Sequence, residues 1–159
     1  MSDSNLSQPV SHNWFVRADG LKLAYRKADG VGPTFVFLPG YMSDMAGGKA
    51  TAVFDWAVAN GRSCLLLDYA GCGESEGDFA EQTLTGWCDD VLAMIDALVD
   101  GPAMLIGSSM GGWLMLLVGE ALGARLAGMI GIAPAPDFTR WGFTDAQREA
   151  ILIKGVHFE

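Results

Sequence analysis

The chain has 159 residues, ten Lys and Arg against nineteen Asp and Glu, and a net charge of −9 at pH 7. Hydrophobic residues make up 50% and charged residues 18%, which suits one folded domain and argues against a disordered chain. The negative surface repels phosphate, so no nucleic-acid partner and no charge-driven docking on anionic lipid are expected.

Residues 1–11 are polar and read as a disordered tail. Segment 12–18 reads as a strand, Asp19-Gly20 as a hairpin turn, and 21–27 alternates as a half-exposed partner strand. Residues 29–33 read as loop. Segment 34–38 is apolar after its threonine, as expected of a strand covered on both faces. Ala50, Val53, Phe54 and Ala57 recur at helical spacing and stop at Asn60-Gly61.

Segment 63–67 is a second buried strand, and 69–78 is a loop with three glycines. Leu84, Trp87, Val91, Ile95 and Leu98 form one helical stripe, with Thr83 as N-cap. A third strand at 103–106, an apolar helix at 111–122 and a fourth strand at 126–132 follow. After a loop at 134–138, Thr144 and Gln147 make a capping-box start for a helix to about residue 154. Strands alternating with helices predict an α/β fold: a mostly parallel sheet with an N-terminal antiparallel hairpin. Residues 101–119 lack charge but contain Pro102, five glycines and a Ser-Ser pair, so a strand and a helix explain them better than a membrane span. No stable membrane insertion is expected.

Cys64, Cys72 and Cys88 are an odd number and stand far apart. That pattern predicts no disulfide frame and no metal site, and suggests a reducing compartment; the expected location is cytoplasmic.

Three glycine-rich stretches bear on chemistry. Gly48-Lys49 is not a phosphate loop, because Ser43 and Ala50 stand where glycine and a hydroxyl residue are needed. Gly71-Cys72-Gly73 is not a dinucleotide fingerprint, because Glu76 holds the third glycine position and would repel pyrophosphate. Gly107-Ser108-Ser109-Met110-Gly111 has the G-x-S-x-G spacing, after an apolar strand and before a helix. Small residues two positions either side let strand and helix approach while Ser109 projects above the sheet. The Met110 amide then points from the helix N-terminus toward a developing oxyanion. A second donor is expected from the Tyr41 amide, turned by Gly40 in Pro39-Gly40-Tyr41. The plainer alternatives are a small-residue turn with an incidental serine and an ordinary Pro-Gly turn.

With Asp68-Tyr69-Ala70-Gly71-Cys72-Gly73-Glu74-Ser75 lying between Pro39-Gly40 and Gly107–Gly111, the chain resembles the α/β-hydrolase superfamily. Leu23 to Lys27, Pro39 to Tyr41, Gly107 to Met115 and Lys154 to Val156 resemble a thioesterase subgroup of it. The resemblance implies a serine esterase or thioesterase (EC 3.1 class) with Ser109 as nucleophile, Met110 and Tyr41 as oxyanion donors, and no cofactor. Its substrate would be a small-molecule or acyl-protein ester or thioester.

The resemblance also places the triad acid and histidine further downstream. Only His12 and His157 are present, and Asp137 follows the fourth parallel strand. Asp137 and His157 are weak candidates for acid and base. The expected organisation is therefore the N-terminal part of a hydrolase core at 12–133 and the start of a cap at 134–159. Trp113 and Met115 are expected in the core rather than in an acyl pocket, and Lys49 as a solvated charge rather than a ligand for a substrate carboxylate. Two other readings stay open: a non-catalytic fragment that only self-associates through an open sheet edge, and a cofactor-free non-hydrolase on the same fold.

Overall fold

The computed structural model describes residues 11–138 and 143–154. One sheet of six strands runs β1 (Asn13–Val16), β2 (Lys22–Ala28), β4 (Arg62–Leu67), β3 (Val31–Leu38), β5 (Ala103–Ser108), β6 (Leu126–Ile132), in that spatial order. β2 pairs antiparallel with both β1 and β4; β3, β4, β5 and β6 pair parallel.

The helices are α1 (Gly48–Ala59), α2 (Leu84–Leu98), α3 (Met110–Leu122) and α4 (Asp145–Lys154), with a short 3-10 turn at Phe79–Glu81. Within β3, β4 and β5 the buried residues divide by parity. Val36, Leu38, Leu65, Leu67 and Leu105 pack with Val91, Met94, Leu114 and Val118 of α2 and α3. Phe37, Cys64, Leu66 and Ile106 face the other way, onto Ala50, Phe54 and Ala57 of α1. A strand buried on both faces needs apolar residues at every position, which is why these strands read as continuous apolar runs.

Local signals agree with the sequence. The Thr83 hydroxyl accepts from the Gly86 amide at 3.0 Å. Thr144 and Gln147 exchange bonds, Thr144 N–H to Oε1 at 2.9 Å and Gln147 N–H to Oγ1 at 3.3 Å. Several boundaries shift by one or two residues, and the largest shift is at β3, which begins at Val31, inside the expected loop. The Val31 amide donates to the Gly61 carbonyl at 2.9 Å, and the β3–β4 register shifts between Val31 and Phe35. That irregularity accommodates Pro33, which has no N–H to offer a ladder.

Among the described residues no helix is long and apolar enough to cross a membrane. The uncharged segment at 101–119 divides between β5 and α3. Among the described residues β6 pairs with β5 alone, and Met129 and Ile130 on it are exposed.

Candidate active site

β3 pairs with β4 on one side and β5 on the other, so the chain order reverses at β3. In open parallel sheets such a reversal leaves a crevice beyond the carboxyl ends of the strands. Gly40, just after β3, and Ser109, just after β5, flank that crevice.

Ser109 sits between the last residue of β5 and the first of α3 with φ 53° and ψ −120°. A non-glycine residue held there costs on the order of 1–3 kcal/mol, so the surrounding contacts must impose it. They are identifiable. The Ser109 amide donates to the Ile132 carbonyl at 3.1 Å, and its carbonyl accepts from Gly112 and Ala135, both at 2.9 Å. Space is equally tight. A Cβ on Gly107 would stand 2.5 Å from the Gly111 carbonyl oxygen, and one on Gly111 would stand 2.0 Å from that of Leu38. Ser109 is exposed while Ser108 and Met110 on either side are buried.

Gly40 lies against the serine: a Cβ there would be 3.2 Å from Ser109 Cβ and 3.8 Å from its Oγ. Tyr41 follows, half exposed. Met110 opens α3, and the first N–H groups of a helix have no intrahelical acceptor, so its amide is available to an anion.

The loops beneath are braced by groups that no local pattern announces. The Tyr69 hydroxyl donates to the Pro39 carbonyl at 2.9 Å. Asp68 is 1% exposed and accepts from the Met45 amide at 2.7 Å and the Glu74 amide at 3.0 Å. Burial, opposed by these two amides and reinforced by Asp44 and Glu74, raises its pKa. Burial also lifts the Tyr69 phenol well above its ordinary value, so it stays a donor. Asp90, also 1% exposed, accepts from Arg17 at 2.9 Å and from the Ala70 amide at 3.0 Å, tying the hairpin to α2. Burial moves the Cys72 thiol up to about 11 and the Cys64 thiol to about 12, so neither is an activated nucleophile.

The model of the α/β hydrolase family matches residues 35–156. The chain belongs to the α/β-hydrolase family. Human palmitoyl-protein thioesterase ABHD10, mitochondrial, is 44% identical to this α/β hydrolase over 152 residues, 94% of the chain and 50% of that protein. The solved mouse alpha/beta hydrolase domain-containing protein 10 superposes with a TM-score of 0.83 at 37% identity, covering 92% of this chain and 60% of that one. A putative hydrolase from Agrobacterium vitis S4 superposes at 0.80 with 31% identity, over 96% of this chain and 64% of its own. The chain spans about half the length of the curated relatives it matches.

These relatives correct one expectation. The human, Pongo abelii and Bos taurus proteins are each named mitochondrial, against the cytoplasmic location inferred from the cysteines. Unpaired cysteines report a reducing environment, and more than one compartment provides that.

The remaining candidates fall in different places. Asp137 lies two residues beyond Ala135, whose amide holds the Ser109 carbonyl, and has φ 60°. His157 lies outside the described residues. His12 packs edge-on against Trp14, next to the edge strand β1, far along the sheet from Ser109. It lines a cavity of about 570 Å³ with Arg26, Asp44 and Asp68 that does not include Ser109. Lys49 is exposed at the start of α1 and borders a cavity of about 230 Å³ together with Gly40 and Ser108. Met115 is in the core, but Trp113 is only half buried and lines a cavity beside Met110. Among the described residues no group of three His, Cys, Asp or Glu could hold a metal ion.

Proposed function

We propose that the protein is a serine hydrolase that cleaves carboxylic esters or thioesters. Ser109 Oγ attacks the acyl carbon, and the Met110 and Tyr41 amides hold the oxyanion of the tetrahedral intermediate. Its collapse expels the alcohol or thiol and leaves an acyl-Ser109, which water then hydrolyses. The general base is a histidine outside the described residues, and the acid is expected there too; Asp137 is a weak candidate for it. Residues 134–159 are the start of the cap region.

One observation carries this reading: an exposed serine held at φ 53°, at the N-terminus of α3, where the strand order reverses. The relatives' names, palmitoyl-protein thioesterase, support the ester and thioester class.

The test is mass analysis after exposure to a p-nitrophenyl ester and to an acyl thioester. The acyl group should appear on the peptide that contains Ser109, and Ser109→Ala should abolish both the adduct and p-nitrophenol release. An adduct on another residue, or turnover that survives Ser109→Ala, overturns the proposal.

A further inference from the structure

A cavity of about 230 Å³ lies on the α1 side of the sheet, across Gly40 from Ser109. Phe37 and Ala50, both of the α1-side core, line it, and Ser108 lines it from β5. Ser108 stands two residues beyond Ile106, which packs on the α1 side. Side chains alternate along a strand, so its hydroxyl is turned into this cavity and away from Ser109. Ser108 is 8% exposed, and its hydroxyl has no hydrogen-bond partner among the described residues. A buried hydroxyl left unpaired is costly, so this one calls for a polar group in the cavity. The opposite wall is the N-terminus of α1. Its N-cap is Gly47, which has no side chain to accept a bond, and no acidic residue stands in the first turn. The Gly48, Lys49 and Ala50 amides therefore lack an intrahelical acceptor. A Cβ on Gly48 would meet nothing within 4 Å, so the approach is open. The Lys49 ammonium makes no ion pair among the described residues.

We propose that this cavity binds a phosphate group, held by the amides at the α1 N-terminus, the Lys49 ammonium and the Ser108 hydroxyl. The free amides and the macrodipole of a helix N-terminus both favour an anion. The donors come from two walls, α1 on one and β5 on the other. A tetrahedral phosphate turns oxygens toward both, whereas a planar carboxylate fits them less well. Asp44 also lines the cavity, with Oδ1 accepting from the Ala46 amide at 2.9 Å. Its charge opposes that of Lys49, so the site holds a singly charged phosphate more readily than the dianion. The net charge of −9 repels phosphate from a distance, and affinity comes from these short-range donors. This is not the phosphate loop that Gly48-Lys49 fails to match, because the hydroxyl comes from another strand. The cavity opens beside the proposed nucleophile, so the phosphate is either carried on the leaving alcohol or thiol of the substrate or free in solution. Only the first placement rests on the proposed Ser109 chemistry; the phosphate site itself does not.

Inorganic phosphate is titrated into the isotope-labelled chain at constant ionic strength, and backbone amide resonances are followed. The Gly48, Lys49 and Ala50 amides should shift saturably, and the Met110 amide should shift less. Acetate should bind at least threefold more weakly than phosphate. Lys49→Gln and Ser108→Ala should each weaken phosphate at least threefold, and Asp44→Asn should tighten it. Shifts that do not saturate, shifts centred on Met110, or affinity unchanged in either folded variant would mean an adventitious ion only and overturn the proposal. The acetyl thioesters of phosphopantetheine and of pantetheine, titrated into the Ser109→Ala chain, separate the two sources. Binding of the phosphorylated thioester at least tenfold more tightly, with the same three amides shifted, places the phosphate on the substrate. Equal binding of the two, with inorganic phosphate still shifting those amides, makes it a free ion. Because no covalent step is involved, intact amide shifts with no acyl adduct on Ser109 in the parent would sink the proposed chemistry and leave the phosphate site standing.

Discussion

The buried hydroxyl of Tyr69 donates to the carbonyl of Pro39 at 2.9 Å, so the loop after β4 grips the loop after β3. The same carbonyl is packed from the other side by Gly111, where a Cβ would stand 2.6 Å away. Tyr69 is itself fixed by stacking on Trp87, with ring centroids 5.5 Å apart. The peptide leading into Gly40 and Tyr41 is therefore oriented by contacts from the loop after β4 and from the first turn of α3.

Tyr69→Phe keeps the ring and removes the donor. It leaves a buried carbonyl unsatisfied, a loss of about 1–3 kcal/mol. The melting temperature should fall accordingly. Labelling of Ser109 by a fluorophosphonate probe, measured well below that melting temperature, should also slow. Normal labelling in the destabilised variant would show that Tyr69 serves stability alone.

Labelling should fall on Ser109 and not on Ser108, which is 8% exposed. Gly111→Val should suppress it nearly as well as Ser109→Ala, because the new side chain meets the Leu38 and Pro39 carbonyl oxygens. Gly40→Val should weaken it through the second donor; loss of one such donor costs roughly 2.7–4 kcal/mol of transition-state stabilisation. Peptide mapping of the probe adduct reads all three.

Asp68 sets a pH dependence. Its folded pKa lies above the ordinary 3.8, with burial as the largest cause. The folded state therefore binds its proton more tightly than the unfolded state does. The associated stability is present below about pH 3.8 and is lost as pH rises through the raised value. The melting temperature of the parent minus that of Asp68→Asn should fall from pH 4 to pH 8. A value that rises with pH would mean that the Met45 and Glu74 amides outweigh desolvation.

The outer edge of β6 should promote self-association of this chain. Met129 and Ile130 expose 45% and 46% of their surface there. A net charge of −9 opposes contact, but an unpaired edge with apolar side chains favours it. Light scattering at micromolar concentration should report dimers or larger species, and Ile130→Lys should reduce them. A monodisperse monomer would contradict this.

Much of the frame was legible because its causes are local. An Asp-Gly turn, a threonine before a helical stripe, and the reciprocal Thr144 and Gln147 pair each depend on residues within one or two turns of the chain. The tight turn at Ser109 was legible for the same reason: five consecutive residues between an apolar strand and an apolar helix leave few backbones open to them. Where a boundary moved, the cause came from a distance. Val31 joins β3 because Gly61 offers it a carbonyl, thirty residues away.

The sequence by itself determined the order of strands and helices, the serine at the turn, and the small residues around it, since periodicity and steric exclusion act between neighbours. Only the tertiary structure decided what stands around that serine. The Tyr69–Pro39 bond and the buried Asp68 clamp have no spacing rule, because their partners are brought together by the sheet order. Phe79, Trp87, Trp113 and Phe138 come from four separate segments and are individually ordinary core aromatics. Trp113 was expected in the core, and it lines a cavity together with Phe138, which follows β6 in the chain and meets its ring edge-on. A hydrophobic side chain carries no mark of which surface it will meet; that is fixed when the layers pack.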